Sequence, residues 1–136
     1  MKILKTLNLV VINSKGFKIC LLKRNSDDFL LRKWSCPGQS IKKEESEEIA
    51  LKRILKEELG VGGENFKYLF KTENTTKNSV IKSKYYSVVV KDPISIDSRK
   101  YSEYSWEHID EELFLLDYAF DQKEVISKFL SQYNKS

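Results

Sequence analysis

The sequence predicts a single α/β domain, an α/β/α sandwich in which a mixed β-sheet lies between helices. The first observation is the order of the elements, because two strands, a helix, further strands and a final helix place helices on both sides of one sheet. The second is the length of 136 residues, which suits one domain over residues 1–136 and leaves no room for another. The third is the 40% content of hydrophobic residues, which is typical of globular proteins.

The chain begins with a predicted β-hairpin. Residues Lys2–Ile12 are mostly apolar and β-branched, residues 13–16 (Asn-Ser-Lys-Gly) form a turn, and Phe17–Lys23 is apolar again. The first strand is continuously apolar rather than alternating, so it is expected at the centre of a sheet that is covered on both faces.

A polar loop and a tight turn follow the hairpin. Asn25–Lys33 is polar apart from Phe29–Leu31, which is expected to pack against the domain. Trp34 is interpreted as a packing anchor rather than a base-stacking platform, since a large aromatic beside a fixed turn usually buries area. Pro37-Gly38 fixes that turn.

The turn leads into the most informative helix, predicted over Glu47–Leu59. Ser46 is a natural N-cap, acidic residues occupy the first turn where the helix dipole favours them, and Gly60 supplies a left-handed stop. At about 100° per residue, one stripe on this helix is expected to be buried against the sheet. The stripe consists of Leu51, Leu55 and Leu59.

Glu57 and Glu58 are expected to lie off the buried stripe, with Arg53 one turn earlier and close enough to orient a carboxylate. Two adjacent carboxylates attract a hard divalent cation. Magnesium is usually held by one or two protein carboxylates together with waters and substrate phosphates. The pair therefore indicates metal-assisted chemistry at a phosphate.

The stretch from Trp34 to Val61, WSCPGQSIKKEESEEIALKRILKEELGV, resembles the signature box of the Nudix hydrolases. The positions that match are Glu45, Arg53, Leu55, Glu57, Glu58, Gly60 and Val61. Two positions depart from the pattern: Gln39 stands in place of a glycine, and Ile54 in place of a glutamate. The resemblance implies the Nudix-type α/β/α sandwich and a pyrophosphohydrolase that needs Mg²⁺ or Mn²⁺.

The resemblance also implies roles for the matching residues. Glu57 and Glu58 would bind the metal, Arg53 would orient them, Glu45 would support the cluster or its waters, and the carbonyl of Gln39 would complete the coordination. Ile54 is expected to point between the two carboxylates, so a cluster of three has become a pair.

Outside the box, the resemblance suggests four further candidates. Arg24, at the end of the second strand, would face the phosphate side of the pocket or simply lie at the surface. Glu103 is the first candidate for a third carboxylate and Glu107 the second, although charged residues beside a strand are more often solvated. Asp121, before the last helix, would contact the base or serve as an N-cap. The single histidine, His108, is left out of the site.

Two readings of function stay open. The first is a hydrolase that cleaves the pyrophosphate of a nucleoside diphosphate linked to another moiety by metal-assisted attack of water. In this reading Ile54 reduces the activity unless a base elsewhere in the chain compensates. The second is a weakened or inactive Nudix-fold module that binds nucleotides or a partner.

The rest of the chain completes the sheet and its cover. Strands are predicted at Phe66–Lys71 and Val80–Val90, joined by a polar connection at Glu73–Ser79, and Asp92-Pro93 ends the second of them. A C-terminal helix is predicted within Asp117–Tyr133, with Phe120 among its apolar residues.

Composition excludes other classes of protein. A net charge of +4 mildly favours small anionic ligands but falls short of a nucleic-acid-binding profile. Cys20 and Cys36 have neither disulfide nor zinc-site spacing, and no signal or membrane segment is present, so a cytoplasmic protein is expected.

The expected partner is a small nucleotide, with no nucleic acid and no membrane, and the chain is expected to be a monomer or homodimer.

Overall fold

A computed structural model of the chain describes residues 1–25, 33–119 and 121–133. The predicted packing of Phe29–Leu31 and the predicted place of Phe120 lie outside these residues. The strands are β1 (Lys2–Asn13), β2 (Lys18–Arg24), β3 (Trp34–Ser35), β4 (Gly38–Ser40), β5 (Lys67–Thr75), β6 (Ser79–Val90) and β7 (Tyr101–His108). The helices are α1 (Glu47–Leu59) and α2 (Gln122–Tyr133), and a short 3₁₀ helix spans Glu111–Leu115.

Strand β1 lies at the centre of one mixed sheet, as its continuous apolar sequence predicts. It pairs in parallel with β6 along its whole length, from Lys2 opposite Ser79 to Asn13 opposite Val90. Its other edge is shared by β2 and β4, which are both antiparallel to it. Strand β5 extends the sheet beyond β6, and β7 and β3 pair with β2. The mixed sheet between two helices confirms the predicted fold class.

Side chains on opposite faces of the sheet form two separate apolar clusters, one under each helix. The α1 cluster contains Leu7, Leu9, Val11, Cys20, Leu22, Ala50, Leu51, Ile54, Leu55, Leu59, Val61, Val88, Val90 and Tyr101. The α2 cluster contains Val10, Ile19, Leu21, Cys36, Phe70, Tyr85, Leu113, Tyr118, Val125, Ile126, Phe129 and Leu130. Since neighbouring residues of a strand point to opposite faces, β1 contributes to both clusters and joins the layers.

Two element boundaries differ from the predictions for local reasons. Helix α2 begins only at Gln122, because the backbone before it is hydrogen-bonded to the backbone of Trp34 instead. Trp34 N donates to Asp117 O at 3.0 Å, and Ala119 N donates to Trp34 O at 2.9 Å. Strands β5 and β6 leave a connection of only residues 76–78, where Thr76 N donates to Ser79 O at 2.8 Å. Cross-strand hydrogen bonds therefore extend the sheet into polar sequence. Trp34 packs on the α2 cluster, in agreement with its predicted role as an anchor.

No helix in the described part of the chain is both long and apolar enough to cross a membrane. Cys20 and Cys36 are buried thiols. Burial is the main cause that raises the pKa of each thiol to about 12, so both stay protonated at neutral pH.

Candidate functional site

Helix α1 has the capped ends that its sequence predicts, and these ends fix the box residues in place. The Ser46 side chain accepts a hydrogen bond from Ile49 N at 3.2 Å. At the other end Gly60 adopts a left-handed φ of 69°, and its N–H donates to Lys56 O at 2.9 Å. Only a residue without a side chain adopts this conformation freely, which explains the glycine.

Arg53 holds the loop and the helix of the box together. Its Nε donates to Glu45 Oε2 at 2.7 Å and its Nη2 to Glu45 Oε1 at 2.9 Å, which is a bidentate ion pair. Its Nη1 donates to Gln39 Oε1 at 2.7 Å and to Glu57 Oε2 at 3.3 Å, and its Nη2 also reaches Ser40 O at 3.2 Å. Arg53 thus fixes strand β4, the loop and one carboxylate of the pair.

The ion pair changes the acidity of Glu45. The hydrogen bonds from Arg53 are the largest cause that lowers the pKa of Glu45 from 4.5 to about 2, and the hydrogen bond from Lys42 N adds to this effect. The same contact raises the pKa of Arg53. Both oxygens of Glu45 already accept hydrogen bonds, so this geometry favours the supporting role over direct metal ligation.

Gln39, which stands where the box pattern has a glycine, is held by two separate contacts. Its backbone pairs with Leu7 of β1, and its side-chain oxygen accepts from Arg53. Its Nε2 is buried without a hydrogen-bond partner among the described residues. The carbonyl that the resemblance assigns to the metal therefore lies in a strand that Arg53 and β1 both hold.

Glu58 is buried, in contrast to the prediction that it lies off the apolar stripe. The residue is 1% exposed, and it stands one turn after Ile54 on the buried face of α1. Its Oε1 accepts a hydrogen bond from the hydroxyl of Tyr101 at 2.5 Å, and its Oε2 lies 3.7 Å from Nζ of Lys100. The prediction was wrong because the buried stripe of α1 is wider than its leucines, since it includes positions 54 and 58.

Tyr101 is a protonated donor to this carboxylate. The residue is 4% exposed and belongs to the α1 cluster. Burial, followed by the hydrogen bond to Glu58 and its charge, raises the pKa of Tyr101. Oε2 of Glu58, by contrast, is buried without a hydrogen-bond partner in the described structure.

Ile54 does not stand in an open metal cluster. Its side chain is 0% exposed and packs in the α1 cluster, while remaining one turn from Glu58. Position 54 is therefore part of the core, on the same buried face of α1 as Glu58, and the expectation that Ile54 points between the two carboxylates stays a prediction. Glu57 lies on the accessible flank, with a side chain that is 45% exposed.

The structure corrects the expected placement of the third carboxylate. Glu103 lies opposite Lys23 in the β2–β7 ladder, and Lys23 Nζ is 3.6 Å from its Oε2 and 5.6 Å from the ring centre of Trp34. Trp34 packs on the α2 cluster, so Glu103 faces away from α1. The register of β2 against β7 shifts between Lys23 and Arg24, so Tyr101 and Glu103 lie on opposite faces of the sheet.

Glu107, the second candidate, also faces the α2 side, because it lies opposite Ile19 of the α2 cluster. Its Oε2 accepts a hydrogen bond from the hydroxyl of Ser105 at 2.8 Å. Neither candidate joins the Glu57–Glu58 pair. Within residues 1–25, 33–119 and 121–133, His, Cys, Asp and Glu form no group of three or more that could hold a metal ion.

Arg24 and Asp121 lie at different places around the sheet. Arg24 is exposed at the end of β2, opposite Tyr101. Asp121 precedes α2, and its Oδ2 accepts a hydrogen bond from Nδ2 of Asn74 at 2.6 Å. Asp121 lines a pocket of about 410 Å³ on the α2 face of the sheet, together with Asn8, Asn74, Thr76, Ile81, Ser83, Tyr85 and Gln122.

The pocket is rich in groups that both donate and accept hydrogen bonds. Gln122 donates from Nε2 to the Tyr85 hydroxyl at 2.9 Å and accepts from Cys36 N at 2.9 Å, so it is fixed by two contacts. Asn8 lies over Gly38, where an added Cβ would be 2.0 Å from its Oδ1. Gly38 is thus required by the close approach of Asn8 as well as by the turn.

Sequence reasoning missed the residues that reach the site from distant parts of the chain. Tyr101 and Lys100 contact Glu58, and Asn74 contacts Asp121, across separations that no local pattern reports. Glu47 in the first turn of α1 accepts from Lys84 Nζ at 2.8 Å and from the Tyr86 hydroxyl. The alternation of β6 places Lys84 and Tyr86 on one face, and this was the available signal.

Comparisons with known proteins agree with this architecture. A family model described as NUDIX domain matches residues 3–129. A MutT protein from Methanosarcina mazei Go1 has 18% identity and a TM-score of 0.82, with 99% of this chain and 97% of that chain covered. The NUDIX domain of Shewanella oneidensis NrtR, in a complex with ADP ribose, has 21% identity, a TM-score of 0.79, and coverage of 98% and 90%.

A C. elegans Ap4A hydrolase has 16% identity and a TM-score of 0.72, with 98% of this chain and 99% of that chain covered. No curated protein matches the chain. At these identities the solved structures establish the fold, and the family rests on the match over residues 3–129.

Proposed function

Because the chain belongs to the Nudix domain family, we propose that it is a metal-dependent hydrolase. Its substrate is a nucleoside diphosphate linked to another moiety, such as a nucleoside triphosphate, and water attacks phosphorus to break the pyrophosphate. The observation that carries the proposal is the pair of carboxylates on α1, of which Glu57 is accessible and Glu58 has a buried oxygen without a hydrogen-bond partner among the described residues.

We propose that the site binds one divalent cation rather than a larger cluster, because His, Cys, Asp and Glu form no metal-holding group of three among the described residues. Glu57 and Glu58 are the proposed ligands of Mg²⁺ or Mn²⁺, and the Gln39 carbonyl is the proposed third group. A bound cation would stabilise charge on the phosphate oxygens and acidify a bound water. Arg53 keeps Glu57 in position, and Glu45 supports the site by fixing Arg53.

The proposal also assigns sites to the phosphate and to the base of the substrate. We propose that Arg24, exposed at the end of β2, binds phosphate. The base enters the pocket of about 410 Å³, where Asp121, Asn74 and Asn8 supply acceptors and donors for its edge. Glu103 has no part in this proposal because it faces away from α1.

We propose a cytoplasmic location, with which one observation accords. Cys20 and Cys36 are buried thiols, as expected where proteins are kept reduced.

The test is a hydrolysis panel with Mg²⁺ or Mn²⁺, comprising nucleoside triphosphates, nucleotide sugars, dinucleoside polyphosphates and ADP-ribose, the ligand named for the NrtR domain. Glu58→Gln removes the charge and keeps the shape, so turnover should fall by about 100-fold or more. Glu64→Gln, an exposed acid on the connection after α1, is the control and should retain wild-type turnover. Absence of metal-dependent, Glu58-dependent turnover on every substrate refutes the hydrolase.

A second function is favoured by the burial of Ile54 at 0% exposure, since an apolar residue has replaced an acid in the core beside the pair. In that case the chain binds a nucleotide or a partner without efficient catalysis. Calorimetric titration of the panel distinguishes the two functions. A binding module gives heat of binding while the ligand is not hydrolysed, and Glu58→Gln leaves that binding unaffected.

A further inference from the structure

The segment between β6 and β7, residues 91–100, crosses the C-terminal end of α1 and is attached to it. Ser95 N donates to Leu59 O at 2.8 Å, so the segment closes one of the open carbonyls of the helix. Ile94 and Ile96 pack against the α1 cluster. An added Cβ on Gly60 would lie 3.0 Å from Ser95 O, which shows how closely the two backbones approach.

The end of this segment delivers two side chains to Glu58. Asp97 O accepts hydrogen bonds from Lys100 N at 3.0 Å and from Tyr101 N at 2.9 Å, which fixes the turn before β7. The Tyr101 hydroxyl donates to Oε1 of Glu58, and Lys100 Nζ lies 3.7 Å from Oε2. One carboxylate oxygen therefore has a neutral donor, and the other faces a positive charge beyond hydrogen-bond distance.

A buried carboxylate needs a compensating charge, because its desolvation is costly. The side chain of Glu58 is 2% exposed, whereas that of Lys100 is 51% exposed. Lys100 thus keeps its ammonium at the border between solvent and the buried oxygen. With Ile54 in the core, no acid of α1 competes for this ammonium from the turn before Glu58.

We propose that Lys100 is the resident counter-cation of Glu58 and that a divalent metal ion binds Glu58 only by displacing it. This inference rests on the proposed function, since it concerns the same metal site. Oε2 of Glu58 is buried, so a metal reaches it only after the ammonium leaves. The flexible lysine stem, already half in solvent, permits that movement without a change in the backbone.

The proposal implies that the charge of Lys100 weakens metal binding. Lys100→Met keeps an unbranched stem over the core and removes the charge, and Lys100→Glu adds a third carboxylate beside the pair. Lys100→Arg keeps the charge. Lys91→Met is the matched control, since Lys91 is an exposed lysine at the other end of the same segment.

The experiment is a titration of each full-length variant with Mn²⁺ in the absence of nucleotide. Binding is measured by calorimetry and by the electron paramagnetic resonance signal of free Mn²⁺. Lys100→Met should lower the Kd for Mn²⁺ by roughly three- to tenfold, as expected when one opposing charge near a partly solvated site is removed. Lys100→Glu should lower it further. Lys100→Arg and Lys91→Met should stay within about twofold of the wild type, on the same argument.

Circular dichroism melts of each variant establish that it folds. Lys100→Arg keeps the charge, so Mn²⁺ binding by this variant that is more than about twofold tighter than by the wild type also overturns the inference. A Kd for Lys100→Met equal to that of Lys91→Met overturns the inference, as does tighter binding by Lys100→Met that persists in a Glu58→Gln background. Hydrolysis by the wild type together with unaltered Mn²⁺ binding by Lys100→Met refutes the inference alone. Tighter Mn²⁺ binding by Lys100→Met without hydrolysis of any substrate refutes the proposed enzyme alone.

Discussion

Replacement of Tyr101 by phenylalanine tests the contact between β7 and α1 directly. Tyr101 is 4% exposed, and its hydroxyl is the hydrogen-bond donor to Oε1 of the buried Glu58. Phenylalanine keeps the ring in the α1 cluster and removes only the hydroxyl. A hydrogen bond to a charged group contributes about 1.5–3 kcal/mol, and its loss leaves the carboxylate with Lys100 as its remaining partner among the described residues. The free energy of unfolding should fall by about 2 kcal/mol.

The change is measured by urea unfolding, monitored by circular dichroism and tryptophan fluorescence at pH 7. For a domain of this length, 2 kcal/mol corresponds to a fall in melting temperature of about 8 °C. Tyr104→Phe is the control, because Tyr104 lies on the same strand and is 44% exposed. That change should alter stability by less than about 0.5 kcal/mol.

A double-mutant cycle assigns the effect to the contact rather than to the ring. In a Glu58→Gln background, Tyr101→Phe should cost less, because the acceptor is no longer charged, and a coupling of about 1 kcal/mol is expected. If Tyr101→Phe is as stable as Tyr104→Phe, or if its cost is unchanged beside Gln at position 58, the hydroxyl does not stabilise the buried carboxylate.

Three further predictions concern the box. The Glu45–Arg53 pair should stabilise the protein above pH 4.5, the pKa of the unfolded glutamate, and this stabilisation should be lost as the pH falls towards 2. The urea midpoint of the wild type should therefore drop more between pH 7 and pH 3 than that of Glu45→Gln. Equal drops contradict the prediction. Ile54→Glu places a carboxylate in the core and should lower the free energy of unfolding by more than about 3 kcal/mol, whereas Ile54→Val should cost about 1 kcal/mol in the same urea titration. Gly38→Ala brings a Cβ to 2.0 Å from Asn8 Oδ1 and should cost ~1–3 kcal/mol, most of which Asn8→Ala should restore if the clash is the cause.

The features that sequence predicted well are those whose partners lie nearby in the chain. The capping of α1 by Ser46 and Gly60 depends on groups within one helical turn. The contact of Arg53 with Glu57 follows from the i, i+4 spacing, and the central position of β1 follows from its continuous apolar residues. In each case a local rule decides the outcome, so the sequence alone is sufficient.

The features that sequence missed depend on pairing between distant strands. The residue that reaches Glu58 depends on the register of β7 against β2, and the irregularity between Lys23 and Arg24 turns Tyr101 towards α1 and Glu103 away from it. An irregularity of one residue exchanges the faces of a strand, and composition does not reveal it. The expectation for Glu103 therefore failed at the level of register, because Glu103 and Tyr101 lie on opposite faces of β7.

The structure also separates the two carboxylates of the pair into different roles within the proposed hydrolase. Glu57 is 45% exposed, and in the part of the chain that the structure describes it accepts one hydrogen bond of 3.3 Å, from Arg53, so most of its lone pairs are available to a cation that arrives from solvent. Glu58 is buried and already has a donor and a counter-cation. In the proposed hydrolase, Glu57 would therefore bind a metal ion first, and Glu58 would bind it only in exchange for Lys100. Since Ile54 offers no oxygen one turn before Glu58, this exchange would set the affinity of the proposed site, and the charge at position 100 would control it.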